Sequence, residues 1–265
     1  MDYEEIEAPP AVAALVRCFW VLRADASALA SAEPAIPDGS PEVILSLGSP
    51  TRARSRSGRL TRQPSTMLVG QITRPFAVQA DGAVSLVAAR LQPYAGRWLH
   101  QPMATITDGW RALGGAFEVA RREAMRARGS RARTAPLARA LAALVADHPG
   151  PDVRVVRAVE RVVATHGAVS MAALANEVAT TPRHLQRLFE RDVGISPKQL
   201  ARIRRVQRVF AAWRDEPGRW ASVAARCGYF DQAHLVRDFR EIAGGAPAGL
   251  VEAMPAFTRL FTPLR

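Results

Sequence analysis

The stretch SMAALANEVATTPRHLQRLFERDVGISPKQLARIRRVQRVF, residues 170–210, is echoed by SVAARCGYFDQAHLVRDFREIAGGAP, residues 222–247. At an offset of 50 residues the copies share seven identities: Ala175/Ala225, His184/His234, Leu185/Leu235, Arg187/Arg237, Phe189/Phe239, Gly194/Gly244 and Pro197/Pro247. A repeat in one ungapped register indicates a duplicated structural unit.

The first copy has the pattern of two short helices joined by a turn. An apolar stripe from Val169 to Val178 predicts the first helix, with Ser170 near its start. Thr181 is a good N-cap and Pro182 a good first residue, since the N–H that proline lacks would have no partner there. The second helix has an apolar side formed by Leu185, Leu188 and Phe189, and Gly194 ends it. A helix-turn-helix of this kind places its second helix in a major groove.

The second copy repeats this pattern. Gly228 marks the turn and Asp231 is the predicted N-cap of the second helix. Leu235, Phe239 and Ile242 supply the apolar side, and Gly244 and Pro247 mark the end. The small Ala175 and Ala225 are expected to let the two helices of each unit approach closely, so a larger side chain at either position should destabilise by overpacking.

A third segment, from Pro197 to Trp213, connects the copies. Its apolar residues recur at steps of three and four, which predicts one continuous amphipathic helix. This helix should hold the two units as a rigid strut, with the second helices about 34 Å apart if they enter successive major grooves. Its arginines form a dense positive face that is either solvated or in contact with phosphates, and the sequence leaves both readings open: Arg202, Arg204, Arg205 and Arg208.

Residues 153–250 resemble the DNA-binding domain of AraC/XylS-type transcription regulators, which carry two helix-turn-helix units joined by a long helix. The resemblance implies base contacts from Arg183, Gln186 and Arg187 in the first unit, and from Gln232, Ala233, Val236 and Arg237 in the second. Phosphate contacts are assigned to Thr181, His184, Arg205, His234 and Arg240. For the two histidines, a packing role is the alternative.

The second unit departs from the family pattern. Ala233 and Val236 offer no hydrogen bond, so that helix can read a thymine methyl group or groove shape but little else. We therefore expect the first unit to carry most of the direct readout. The second unit should contribute phosphate contacts through Arg237 and Arg240.

The N-terminal part has a different pattern of apolar residues. Apolar runs at 18–22, 41–47, 67–72 and 84–91 are separated by turn-forming residues, which predicts strands, and 51–62 has the composition of a polar loop. Helices are predicted from Arg111 to Arg128 and from Pro136 to Ala146, joined by the arginine-rich GSRARTA. The expected fold class is α+β, with a β-rich sensor or dimerisation domain at 1–115, a helical linker region at 116–152 and the DNA-binding domain at 153–255.

Residues 1–115 resemble the sensor-like N-terminal domain of one branch of AraC-type regulators. The resemblance is carried by Phe19, Trp20, the turn Pro37-Asp38-Gly39 before VILSLG, and Gly70-Gln71. It implies a small cupin-like barrel or sandwich and names no ligand. Asp38 is expected to serve turn chemistry, with a ligand-binding acid at the barrel mouth as the alternative. Trp20, Trp98 and Trp110 are expected in the core.

The composition of the chain limits the classes of function that it fits. Lysine and arginine number 36 against 24 acids, a net charge of +12, and Lys198 is the only lysine. This balance predicts salt-sensitive binding to polyanions without predicting sequence specificity. Cys18 and Cys227 form no disulfide framework, and the five histidines have no metal or triad spacing, so neither a metal nor a cofactor is expected. The acidic N-terminus MDYEEIEAPP does not resemble a signal peptide, and a cytoplasmic location without membrane contact is expected.

The expected function is that of a sequence-specific transcription regulator that binds double-stranded DNA, not an enzyme. A small-molecule effector, RNA polymerase and a second copy of the chain are further partners to consider. Two alternatives remain open at this stage. One is an enzyme or repair domain fused to a DNA-binding domain, which would need an activated cysteine such as Cys18. The other is a basic protein that binds nucleic acid through charge alone.

Overall fold

The computed structural model describes residues 1–27, 33–54 and 59–252. Within these ranges the β-rich part comes first and the helices follow, which confirms the predicted α+β class. The strands are β1 Asp2–Glu7, β2 Val16–Ala24, β3 Glu33–Ala35, β4 Glu42–Ser46, β5 Thr51–Arg54, β6 Leu60–Arg62, β7 Thr66–Val69, β8 Phe76–Ala80, β9 Val84–Leu91 and β10 Trp110–Ala112.

The strands form two antiparallel sheets. The larger has the order β1-β2-β9-β4-β7-β10 and the smaller the order β3-β8-β5-β6. Side chains alternate between the two faces of a strand, so Trp20 and Leu22 of β2 point toward the smaller sheet while Phe19 and Val21 join the core beneath the helices. A cavity remains between the two sheets, lined by residues of both.

The expected polar loop at 51–62 was wrong. Residues 51–54 and 60–62 are the antiparallel strands β5 and β6, paired at Arg52 with Arg62 and at Ala53 with Thr61. Thr51 and Ala53 are buried whereas Arg52 and Arg54 are exposed, so the arginines occupy the outer face of a strand. Residues 55–58 lie outside the described residues.

The helices are α1 Ala116–Arg126, α2 Ser130–Asp147, α3 Val153–Ala164, α4 Met171–Glu177, α5 Pro182–Asp192, α6 Pro197–Asp215, α7 Trp220–Arg226, α8 Gln232–Ala243 and α9 Pro247–Glu252. Two predicted boundaries were wrong. Arg111 belongs to β10, where it pairs with Leu68, and α1 begins only after Gly115 with its positive φ of 57°. The GSRARTA segment is the beginning of α2, and Pro136 lies inside that helix.

The two helix-turn-helix units are α4–α5 and α7–α8. The predicted caps Thr181 and Asp231 are confirmed, because their side chains accept hydrogen bonds from the backbone N–H three residues on. Ser170, predicted near the start of α4, caps that helix in the same way. Gly194 and Gly244 both have positive φ, 92° and 84°, where the second helix of each unit ends.

The ungapped repeat does not hold through the first helix of each unit. Helix α4 spans residues 171–177 and α7 spans residues 220–226, an offset of 49 residues. Pro197 and Pro247, which follow the second helices, keep the offset of 50. The turn of the second unit therefore has one more residue. As a result Ala225 is exposed, and Ala224 takes the buried position that Ala175 holds in the first unit, which corrects the expectation for Ala225.

The long helix α6 contacts α3, α5, α7 and α8, which confirms the predicted strut. It also contacts the β-rich part. Gln207 Nε2 donates to Pro37 O at 2.6 Å and Arg204 Nη1 donates to Asp38 O at 3.1 Å. At the end of α5, Thr107 Oγ1 donates to Gly194 O at 2.7 Å.

Candidate DNA-binding surface

The surface of α5 divides cleanly into a buried and an exposed side. Leu185, Leu188 and Phe189 are buried in the core, as predicted. The residues assigned to base contacts, Arg183, Gln186 and Arg187, are all exposed on the other side. Gln186 Nε2 donates to Glu190 Oε1 at 2.9 Å, a contact within the helix that DNA could replace.

The matching surface of α8 is less polar. Gln232, Ala233 and Arg237 are exposed, whereas Val236 is half-buried and packs against the core. The valine therefore already contributes to packing. Of the four residues assigned to base contacts here, the structure brings three to the open face.

Charge separates the exposed arginines from the internal ones. In the part of the chain that the structure describes, Arg183, Arg187, Arg237 and Arg240 are exposed and make no ion pair. Arg191, by contrast, makes a two-point contact with the buried carboxylate of Asp192 at 2.7 Å. Uncompensated guanidinium groups on the open faces of both second helices are what phosphate and guanine recognition needs.

Most arginines of the connecting helix are engaged inside the protein. Arg202 Nη2 lies 2.9 Å from Asp238 Oδ1 and also pairs with Glu241, Arg204 donates to Asp38 O, and the Arg205 guanidinium lies 5.4 Å from the centre of the Tyr229 ring. The dense positive face expected on α6 is therefore largely a set of contacts to its neighbours. Arg208 is half-buried.

The pair of Arg202 and Asp238 was missed by the sequence reasoning. Asp238 is buried among the apolar side chains of α8, at the place where α5 has Leu188. An acid on an otherwise apolar helix face, opposite an arginine-rich helix, is the signal that could have indicated the pair. It fixes the second helix-turn-helix against α6.

The two repeated histidines differ in their surroundings. The His234 ring lies edge-on to Tyr229 at 5.1 Å, and its Nε2 is 4.0 Å from Asp238 Oδ2. His184 is half-buried and its backbone N–H donates to Thr181 Oγ1 at 3.2 Å. The His234 ring packs against Tyr229, and its side chain stays 35% exposed.

A second cluster of charges lies in the β-rich part, around Arg90 of β9. Its Nε is 3.2 Å from Glu42 Oε1 and 3.3 Å from Asp38 Oδ2, and its Nη1 is 3.0 Å from Glu5 Oε1. Trp20 Nε1 donates to the same Glu42 oxygen at 3.0 Å. Burial raises the pKa of Glu42 to about 7, although Arg90 opposes the shift.

Asp38 stabilises a turn and also lines the cavity between the sheets. Its Oδ1 accepts a hydrogen bond from the Ser40 N–H at 2.9 Å, which stabilises the turn in which Gly39 has a φ of 81°. Its carboxylate is also buried at the edge of the cavity between the sheets. Trp20 lines the same cavity, Trp98 is buried in the main core and Trp110 is half-buried.

The enzyme alternative needs an activated cysteine. Burial raises the pKa of the Cys18 thiol to about 11, and that of Cys227 also to about 11, so both resist forming the reactive thiolate. Among the described residues, no group of three or more His, Cys, Asp or Glu side chains is placed to hold a metal ion. None of the described helices combines the length and apolar character needed to cross a bilayer.

Two family models match the sequence. One, described as "Helix-turn-helix domain", matches residues 174–253, and one described as "Domain of unknown function (DUF6597)" matches residues 4–110. No curated protein matches the sequence. The C-terminal match covers both second helices and the strut between them.

Several solved structures are similar to this chain at low sequence identity. ToxT from Vibrio cholerae O395 is 9% identical with a TM-score of 0.48, over 89% of this chain and 97% of that one. The same protein bound to (E)-4-(8-methylnaphthalen-1-yl)but-3-enoic acid is 9% identical with a TM-score of 0.49, over 95% and 99%. The AraC-like transcriptional activator CuxR is 15% identical with a TM-score of 0.29, over 71% and 70%.

The repeat, the caps and the sequence match together define the class. Residues 174–253 form a helix-turn-helix domain. The chain therefore joins a part built of two antiparallel sheets to a helix-turn-helix domain, a unit of the kind that places its second helix in a major groove of DNA.

Proposed function

We propose that this protein is a transcription regulator that reads DNA with two recognition helices in successive major grooves, and that the cavity in its β-rich domain controls this activity through an effector. The observation that supports DNA reading by the two helices is the distribution of arginines that make no ion pair. Arg183 and Arg187 on α5, and Arg237 and Arg240 on α8, are exposed without an acid partner among the described residues. Arg202, Arg204 and Arg205 of α6, by contrast, contact neighbouring elements of the protein.

The two recognition helices are assigned different tasks. Arg183, Gln186 and Arg187 offer five-donor guanidinium groups and an amide, which suit guanine and adenine edges. In α8 the alanine offers no hydrogen bond and Val236 is partly occupied by packing. The second unit therefore supplies phosphate contacts through Arg237 and Arg240, with Thr181, His184 and His234 at the helix starts as further candidates for phosphate contact.

Control by an effector is supported by the path from the cavity to α6. The turn at 37–39 carries Asp38, which lines the cavity, and the carbonyl groups of Pro37 and Asp38 accept hydrogen bonds from Gln207 and Arg204 of α6. A Cβ at Gly39 would lie 2.8 Å from Leu200 Cδ1, so turn and helix are in close contact.

A ligand that moves the turn would act on the helix that fixes both reading units. For this to regulate DNA binding, the ligand must bind the two arrangements with different affinity. We place the sensor domain at 1–115, the helices that cover it at 116–152 and the reader from 153 onward. Dimerisation through the sensor domain would strengthen binding to paired sites by raising the effective concentration.

Binding of selected DNA at several salt concentrations tests the proposal. A fragment library is enriched with the purified protein, and the affinity for the enriched sequence is compared with that for random DNA. A specific regulator should prefer its site by about 10³–10⁷. A ratio near one, together with a strong dependence of both affinities on salt, would indicate a protein that binds by charge alone.

The effector is tested separately. The same DNA titration is repeated with a fractionated small-molecule extract, which should contain fractions that change the affinity for the enriched site. The oligomeric state with and without operator DNA is measured by light scattering. A transcription assay with purified RNA polymerase then tests whether the polymerase is a partner and which sign of regulation results.

A further inference from the structure

We infer that the cavity between the two sheets binds a small organic cation, an amine with a compact apolar body. This inference rests on the proposed sensor function and names the chemical class of the effector. Three features of the cavity carry it: its size and apolar walls, the sign of the charges that line it, and the aromatic ring beside those charges.

The cavity has a volume of about 70 Å³ and lies between the larger and the smaller sheet. Its walls are mostly apolar, formed by Ile44, Met67, Val69, Val78 and Leu86 among others. Dry apolar cavities of roughly 150 Å³ in proteins bind benzene. A space of half that volume accepts a short alkyl group rather than a large ring system.

Among the described residues that line the cavity, two are charged, and both are acids, Asp38 and Glu42. Arg90 holds the two carboxylates from behind, at 3.3 Å and 3.2 Å, and does not line the cavity itself. Arg17 donates to Ser40 Oγ at 2.8 Å and likewise does not line it. The polar end that a ligand would meet is therefore negative.

The carboxylate oxygen Asp38 Oδ2 is the most direct support for a cationic ligand. The atom is buried and accepts no hydrogen bond from any described residue, although Arg90 Nε lies 3.3 Å away as an ion-pair partner. Buried acceptors are normally satisfied, and one left open in a native protein calls for an explanation. An ammonium group in the cavity would supply the missing donor.

Trp20 provides the third feature. Its ring lines the cavity, and its Nε1 points to Glu42 Oε1 at 3.0 Å, so the indole stands next to the carboxylate. Indole faces attract ammonium groups. A carboxylate or phosphate ligand would instead meet two acids and be repelled, and a neutral alkyl ligand would leave the Asp38 acceptor open.

The test uses the full-length protein and three probes of nearly equal size: n-butylamine, 1-butanol and butyrate. Binding is measured by thermal shift and by calorimetry, up to about 10 mM because ligands of a few atoms bind weakly. We expect butylamine alone to raise the melting temperature and to give a saturable isotherm. Equal binding of 1-butanol, or preferential binding of butyrate, would overturn the inference.

Variants locate the site. The variants are measured at pH 8, where the Glu42 carboxyl with its pKa of about 7 is ionised. Glu42→Gln and Asp38→Asn each keep the side-chain shape and remove one negative charge, and each should weaken butylamine binding at least tenfold. Glu4→Gln is the matched control, because Glu4 is an exposed acid on β1 that does not line the cavity. Loss of affinity in the control of the same size as in the two cavity variants would refute the assignment.

A further measurement on the wild-type protein remains informative if a variant fails to fold. In saturation-transfer NMR the methyl end of butylamine should receive magnetisation from cavity methyl groups, and 1-butanol should not displace it. The two proposals fail differently. If an anionic or neutral fraction changes DNA affinity while amines do not bind, the chemical class is wrong and the sensor function stands. If no fraction of any charge changes DNA affinity, the sensor function itself is contradicted.

Discussion

Replacing Arg187 or Arg202 by alanine should separate DNA recognition from stability, because the two arginines have opposite surroundings. Arg187 is exposed on α5 and has no acid partner among the described residues, whereas Arg202 is mostly buried against Asp238, a side chain only 4% exposed. Loss of a bidentate contact to guanine costs about 1–3 kcal/mol, which is roughly a 5- to 150-fold loss of affinity. An exposed substitution changes the free energy of unfolding by less than about 0.5 kcal/mol.

Arg202→Ala should behave in the reverse way. It leaves the buried Asp238 carboxylate without its guanidinium, and breaking such a pair typically costs about 3–5 kcal/mol in the free energy of unfolding. The contact to Glu241 adds little, since that carboxylate is more than half exposed. Because the pair fixes the second helix-turn-helix against α6, the folded fraction should lose some affinity for DNA, but less than Arg187→Ala loses, since the exposed arginines of both recognition helices remain.

Urea unfolding followed by circular dichroism gives the stability of each variant, and fluorescence anisotropy gives its affinity for the enriched operator and for random DNA. The Arg187→Ala variant should lose preference at one operator position and keep its unfolding midpoint. If Arg202→Ala left the stability unchanged but weakened DNA binding as much as Arg187→Ala does, the assignment of inward and outward arginines would be refuted.

Three further predictions concern packing and pH. Ala224→Leu should lower the free energy of unfolding by about 1–3 kcal/mol through overpacking, whereas Ala225→Leu should change it by less than about 0.5 kcal/mol, and thermal melts compare the two. Gln207→Ala removes the donor to the buried Pro37 carbonyl and should lower the free energy of unfolding by about 1–3 kcal/mol, measured by urea titration. If the variant were as stable as the wild type, the contact between Gln207 and Pro37 would be refuted. Glu42 has its pKa raised from 4.5 to about 7 by burial, so the folded protein keeps a proton that the unfolded chain has released between those values. The free energy of unfolding should therefore fall as pH rises from 4.5 to about 7. Urea titrations across this range should show a smaller fall for Glu42→Gln than for the wild type, because the other titrating groups contribute equally to both proteins.

The helix-turn-helix domain could be predicted from the sequence because its signals are local. Thr181, Pro182 and Gly194 act within one helix and its ends, where the physical reasons for the residue types are short-range. The error at Ala225 arose at the one place where the copies differ in length. A single extra residue in the turn rotates α7 so that Ala224 faces the core instead.

The sequence was less informative where partners are far apart along the chain. Nothing near Arg202 or Arg204 indicates that one faces Asp238 and the other the turn at 37–39, because these contacts depend on how whole elements pack. The same holds for Arg90, which meets Glu42 across neighbouring strands. Strand β5, by contrast, carried a readable signal: Thr51 and Ala53 alternate with two arginines at the period of a half-buried strand.

The central claim is that two recognition helices, held by one strut, enter successive major grooves of the same duplex. Methylation interference on the enriched operator tests it directly, because methyl groups on guanine N7 block contacts in the major groove. Two clusters of interference about 10–10.5 base pairs apart on one face of the duplex are predicted, with Arg187→Ala removing the interference at one guanine of one cluster and leaving the other cluster unchanged. A single cluster, or interference spread evenly along the site, would contradict the account.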